Sequence, residues 1–255
     1  MNITYEKSLS RLVIAAVLLF GTNSADAGEW SGSASLYFWL PSIDGSGNLN
    51  VPPNDGSGEE PLPVDPSQVL DSLDLALMGS FEVRYDKYLF FTDIAYLDMS
   101  NTKSVNILNT SREVELGFEG WQSSYYGGYA VASSDELTVD IIAGLRYFSM
   151  EFEVEVDRDN IVKQRTRTFY EGLLDGIIGL KGQYNITEQW FIPYHADFGI
   201  GNSDLTYQLI GGVGYGGAWG DVELTYRHLA WHLRDDSILN TFSLSGFSIA
   251  YSYHF

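Results

Sequence analysis

Ser245-Gly246-Phe247-Ser248-Ile249-Ala250-Tyr251-Ser252-Tyr253-His254-Phe255 is apolar at every second position, with small or polar residues between. A period of two over this length specifies a strand with one apolar and one polar face. In a soluble sandwich the apolar face would be mostly Val, Leu and Ile. Here the apolar set ends Tyr251, Tyr253, Phe255, and aromatics crowding toward a strand end are characteristic of the interfacial girdle of a membrane barrel.

Working back from this stretch, strand signals recur along the chain from Trp30 onward. Trp30 to Leu40 sets Trp30, Gly32, Ala34, Leu36, Phe38 and Leu40 against Ser31, Ser33, Ser35, Tyr37 and Trp39. Leu75 to Tyr85 turns at Asp86-Lys87 into Tyr88 to Met99, a tight hairpin. The same reading gives Val114 to Val131, Leu137 to Val156, Thr168 to Tyr184, Trp190 to Ile200, Thr206 to Gly217 and Val222 to Leu233. With the closing strand, the count is about ten, with eight or twelve as alternatives.

Connections alternate in length. Short turns fall at Asp86, Ser133, Thr187 and Gly220. Longer or more polar ones fall at Pro41 to Asp74, Asn101 to Arg112, Asp157 to Arg165, Asn202 to Asp204 and Arg234 to Asn240. Such sorting belongs to an up-and-down transmembrane β-barrel with periplasmic turns and external loops, and an even count returns both ends to the periplasm. The stretch from Pro41 to Asp74 is rich in Gly, Pro, Asp, Asn and Ser, which predicts a long acidic first external loop with one helical turn near Ser67 to Leu70. Within two strands, around Trp121 to Tyr126 and Phe148 to Phe152, the apolar set changes register, so a β-bulge or an extension beyond the membrane is expected there.

Residues 1–27 carry Lys7 and Arg11, the apolar run Leu12 to Phe20, and Ala25-Asp26-Ala27. This is the layout of a secretory signal peptide cleaved after Ala27, which leaves residues 28–255 as one barrel domain. No other run approaches the roughly 18 apolar residues of a spanning helix. Cysteine is absent, which excludes a disulfide framework and thiol chemistry. The mean hydropathy of −0.08 suits a barrel, because lumen and loop residues dilute the lipid face. Net charge is −20, and no Lys or Arg lies between Arg11 and Arg84; a nucleic-acid partner is excluded on charge.

If the apolar face meets lipid, the opposite face lines the lumen, and it carries Glu82, Arg84, Asp93, Asp140, Arg146, Asp175, Lys181, His195, Asp197, Glu223 and Arg227. Both signs occur together, and unpaired charges in a narrow lumen are costly, so cross-strand pairing into a structural network is the first expectation. A small polar pore whose lining sets ion preference is the functional alternative. About ten strands leave an interior largely filled by side chains.

His195-Ala196-Asp197 places an imidazole and a carboxylate on one face, the spacing of a base and its orienting acid. Ten-stranded outer membrane proteases use Asp and His near the outer rim, whereas this pair lies nearer mid-strand and faces no D-x-D pair, so an enzyme is not expected. His228 and His232, four apart on a strand, read as interfacial packing. There is no phosphate-loop or H-E-x-x-H motif, and neither cofactor nor metal is predicted.

Several short stretches together resemble a family of poorly characterised Gram-negative outer membrane barrel proteins, porin-like or opacity-type small barrels. They are Ser35-Leu36-Tyr37-Phe38-Trp39-Leu40-Pro41 with Gly45, Phe81-Glu82-Val83-Arg84-Tyr85, Gly144-Leu145-Arg146-Tyr147, Asp175-Gly176-Ile177-Ile178-Gly179-Leu180-Lys181-Gly182 and Leu224-Thr225-Tyr226-Arg227. The resemblance implies a barrel in the outer membrane, among its lipid and lipopolysaccharide. The ending at Phe255 resembles the closing strand that the barrel assembly machinery reads. The expected role is structural or small-solute passage, with an outer membrane hydrolase using His195 and Asp197 as the alternative.

Overall fold

The computed structural model describes residues 30–47, 60–61, 69, 71–107, 110–156, 165–234 and 239–255. The predicted signal peptide and most of the predicted first loop lie outside these. In chain order the strands are β1 (Trp30–Gly47), β2 (Glu60–Pro61), β3 (Leu73–Tyr85), β4 (Tyr88–Ile107), β5 (Thr110–Ser133), β6 (Leu137–Val156), β7 (Arg165–Asn185), β8 (Trp190–Gly201), β9 (Leu205–Gly217), β10 (Gly220–His232) and β11 (Leu239–His254). Each long strand pairs antiparallel with its neighbours in the chain, and β11 pairs back onto β1, so ten strands close into a barrel; β2 adds only a two-residue pairing on the end of β1. Among the described residues, no helix is long and apolar enough to cross a membrane.

The closing seam is built from the C-terminal stretch Ser245 to Phe255. Ser35 stands opposite Ser252 and Leu36 opposite Tyr251, and the two serine hydroxyls meet at 2.7 Å. Beyond the ladder, Gly32 N–H donates to the Phe255 carbonyl at 2.9 Å and Phe255 N–H to the Gly32 carbonyl at 3.0 Å. The Phe255 ring packs over Gly32, so a side chain at residue 32 would have to displace that ring.

The short turns bear out the sorting of connections at one end. At Asp86 the backbone is left-handed, φ 53°, a conformation Asp tolerates. At the other end, two boundaries differ from expectation. β1 runs through Pro41 to Gly47, pairing with β11 as far as Leu239, so the first seven residues of the predicted loop are strand. The predicted connection Asn101 to Arg112 is mostly hairpin, because β4 and β5 stay paired to Ile107 and Thr110.

Of the bulge or extension expected near Trp121 and Phe148, the bulge is absent, since β5 and β6 pair without interruption from Val114–Val156 to Ala130–Asp140. The register change has another cause. Phe118, Phe148 and Met150 point inward and are buried, so the apolar set switches faces because the outer half of the lumen is itself apolar.

Candidate functional site

Outward residues form a continuous apolar wall, with Leu36, Leu77, Leu145, Ile178, Leu209 and Ile249 all exposed. Aromatic residues bound it at two levels. Tyr88 and Tyr96, Trp121 and Tyr129, and Tyr207 and Tyr215 each stand eight residues apart on β4, β5 and β9. At about 3.3 Å per residue and a tilt near 40°, that spacing spans roughly 20 Å, the height of a lipid-facing band between its two girdles. Facing strands pair these rings directly: Tyr88 with Tyr129 at 5.4 Å, Tyr96 with Trp121 at 6.0 Å and Trp190 with Tyr215 at 5.1 Å.

Inside, the eleven residues picked out on the polar face gather into layers. Nearest the short turns, Glu82 accepts from Arg84 and from Lys181, both at 2.6 Å. Arg84 also grips Asp140 through two nitrogens at 2.6 and 3.1 Å, which ties β3 to β6 and β7 across the lumen. Glu223 is half-buried on β10 at the same end and makes no ion pair among the described residues.

The next layer has two arginine centres. Arg227 on β10 donates to Asp93 of β4 at 2.7 Å, to Gln122 of β5 at 3.1 Å, to Gln208 of β9 at 3.0 Å and to Tyr37 of β1 at 3.1 Å. Its guanidinium also lies 4.7 Å from the centroid of the Trp39 ring. Arg146 on β6 donates to both oxygens of Asp197 on β8 at 2.8 and 2.7 Å, and to Ser124, Thr206 and Tyr126. Planar five-donor guanidinium suits such multi-strand bracing. Asp175 is fully buried. Its Oδ1 accepts from the Ser203 N–H at 2.9 Å, and its Oδ2 has no partner among the described residues.

His195 Nε2 and Asp197 Oδ2 are 2.6 Å apart, and Tyr126 also donates to Asp197 at 3.2 Å. Asp197 therefore serves a guanidinium as well as the imidazole, in a layer where both residues are almost wholly buried. This arrangement braces strands and leaves no face of the pair for a substrate. Among the described residues, no group of three or more His, Cys, Asp or Glu could hold a metal ion. His228 and His232 lie on the outward face, His228 between the Ser245 hydroxyl at 2.6 Å and the Tyr207 hydroxyl at 3.2 Å, as girdle packing requires.

Sequence reasoning missed the other half of the lumen. On each of four rising strands a polar or charged residue is followed, two positions outward, by a buried apolar one: Tyr37 by Trp39, Asp93 by Ala95, Arg146 by Phe148 and Arg227 by Leu229. These join Trp231, Phe242 and Val69 in one cluster that fills the outer lumen. Phe148 stacks on Trp231 at 4.3 Å. The signal lies in the alternation itself, since Trp39 and Trp231 share parity with Tyr37 and Arg227.

A closed antiparallel barrel of even strand number, with an apolar band outside and charges inside, is an integral β-barrel protein of the Gram-negative outer membrane. No family profile matches the sequence, and no curated protein matches it. Among solved structures, similar chains include the translocator domain of the autotransporter NalP from Neisseria meningitidis, at 13% identity over 96% of this chain and 94% of that one, with a TM-score of 0.48. Others are the transport unit of the autotransporter AIDA-I from Escherichia coli, at 10% identity over 97% and 96% with a TM-score of 0.39, and the attachment invasion locus protein Ail of Yersinia pestis, at 10% over 90% and 100%, also 0.39. Likeness this distant leaves the fold assignment resting on the strand pairing above.

Proposed function

We propose that this protein is a sealed outer membrane barrel whose lumen charges act as a structural network rather than as a pore lining. The observation that carries the reading is the pair of ion-paired layers, Glu82–Arg84–Asp140–Lys181 and Asp93–Arg227 with Arg146–Asp197, that cross the lumen between non-adjacent strands. A hydrated solute would have to part them and then pass an apolar cluster that offers it no hydrogen bonds. Passage is therefore the costlier use of this interior. The closing strand, with Phe255 seated on Gly32, is the segment that the barrel assembly machinery would engage during insertion, and lipopolysaccharide would surround the outer girdle.

Swelling of liposomes in arabinose tests the reading. The sealed barrel leaves swelling at the lipid-only rate, whereas protein-dependent swelling would restore small-solute passage as the function.

A further inference from the structure

The strands of the wall differ in how far they reach. β4 and β5 stay paired from the outer girdle rings Tyr96 and Trp121 on to Ile107 and Thr110, and β6 and β7 keep pace to Val156 and Arg165. At about 3.3 Å per residue and a tilt near 40°, the tips of β4 and β5 stand roughly 25 Å beyond the girdle. β8 stops short, pairing with β7 only between Asn185 and Asp175 and ending at Gly201. Residues 165–173 of β7 are therefore bonded to β6 on one side and, among the described residues, pair with no strand on the other.

Asn202 marks the end of the β8 ladder. Its side-chain carbonyl accepts from the Leu174 N–H at 2.9 Å, and its own N–H donates to the Leu174 carbonyl at 3.1 Å. Leu174 thus turns both backbone groups toward β8. The N–H and C=O of one strand residue point to the same side, and the side alternates along the chain. Thr166, Thr168, Tyr170 and Gly172 accordingly present theirs to the open edge.

Free edges of this length are commonly blunted by proline, lysine or a bulge. This one has no proline and no lysine, pairs with β6 without a register shift, and contains the strand formers Thr166, Thr168, Phe169 and Tyr170. Its outer end carries charge of one sign. Lys163-Gln164-Arg165-Thr166-Arg167 is the densest basic run in a chain of net charge −20. Arg165 and Arg167 stand opposite Val156 and Val154, while the acids Glu155 and Glu153 stand opposite Thr166 and Thr168, on the other face of the sheet. No acid of β6 is directly across from either arginine. Opposite charges across a strand pair are favourable and like charges unfavourable, so this edge repels a basic strand and selects an acidic one.

We propose that the free edge of β7 is a docking site for an extended, acidic peptide strand of another protein outside the cell, added antiparallel through the backbone groups of Thr166, Thr168, Tyr170 and Gly172. Main-chain hydrogen bonds supply the affinity in such strand addition, and alternate side chains supply the selection. Here the selection is for carboxylates across from Arg165 and Arg167.

The probe is the octapeptide Thr-Val-Thr-Val-Thr-Glu-Thr-Glu, which run antiparallel sets its two glutamates across from Arg167 and Arg165. In the refolded full-length barrel, hydrogen exchange by NMR should find the Thr166, Thr168 and Tyr170 amides fast and the Arg167 and Phe169 amides, bonded to β6, protected. The peptide should bind saturably and slow the first three. The same peptide N-methylated at its threonines keeps its charge and loses its edge donors, and should bind at least tenfold weaker. Lysine in place of both glutamates should abolish binding. Thr168→Pro removes an edge N–H that β6 does not use and should cost about tenfold. The exchange and peptide comparisons need no variant, so they stand even if Thr168→Pro fails to fold. Edge amides already protected in the free barrel, by another segment of the chain or by a second copy, would overturn the proposal. So would no saturable binding, equal binding of the methylated or lysine peptide, or unchanged affinity in folded Thr168→Pro. The outcome is independent of whether the barrel conducts.

Discussion

Replacing Arg146 by Met removes the centre of the inner layer while keeping its length. Arg146 is fully buried and makes five hydrogen bonds to side chains on three other strands, two of them to Asp197. Without it, Asp197 stays at 4% exposure with His195 and the Tyr126 hydroxyl as its remaining partners. Breaking one side of a buried pair typically costs about 3–5 kcal/mol, whereas removing both charges is often close to neutral. Arg146→Met should therefore lose about 3–5 kcal/mol, and Arg146→Met with Asp197→Leu should recover to within about 1 kcal/mol of the parent. Urea unfolding of the refolded barrel, followed by tryptophan fluorescence, gives both values. The loss should be nearly independent of salt, because a buried pair is screened little. A single-variant loss under about 1 kcal/mol, or one that disappears in high salt, would mean that the pair is hydrated, and the closed-lumen argument would fail.

Three further outcomes follow from the same geometry. Trp231→Ala removes the partner of Phe148 at 4.3 Å and should cost about 3–5 kcal/mol in the same unfolding assay, as large-to-small changes in a filled core do. Phe247→Arg, on the outward face midway between the girdles and 5.3 Å from Tyr226, should cost about 2–4 kcal/mol, against about 0–1 kcal/mol for Tyr253→Arg near the interface; comparable losses would misplace the membrane band. Gly32→Leu puts a side chain where the Phe255 ring sits and should lower the heat-modifiable fraction in cells, with Ser31→Leu, on the opposite face, as the tolerated control.

The barrel was legible because period-two alternation is read directly from the residues, and because the short turns at Asp86 and Gly220 have simple chemistry. The inward parity of Arg146 and Arg227 can be read from the alternation alone. Which acid each would choose cannot. Arg146 stands directly opposite Asp175 on β7, yet its long side chain reaches past it to Asp197 on β8, a choice set by barrel curvature and not by neighbour spacing. The apolar outer lumen was missed for a related reason. In Phe148 to Phe152 an inward apolar residue looks like a slipped register when the lumen is assumed to be polar, and only the continuous β5–β6 pairing shows that the face, not the register, had changed character.

Single-channel recording in planar bilayers tests the sealed lumen most directly. The wild-type barrel, inserted and folded, should give no conductance steps at moderate voltage, because the arginine layers and the apolar cluster stand across its lumen. Reproducible steps whose size scales with salt would contradict it.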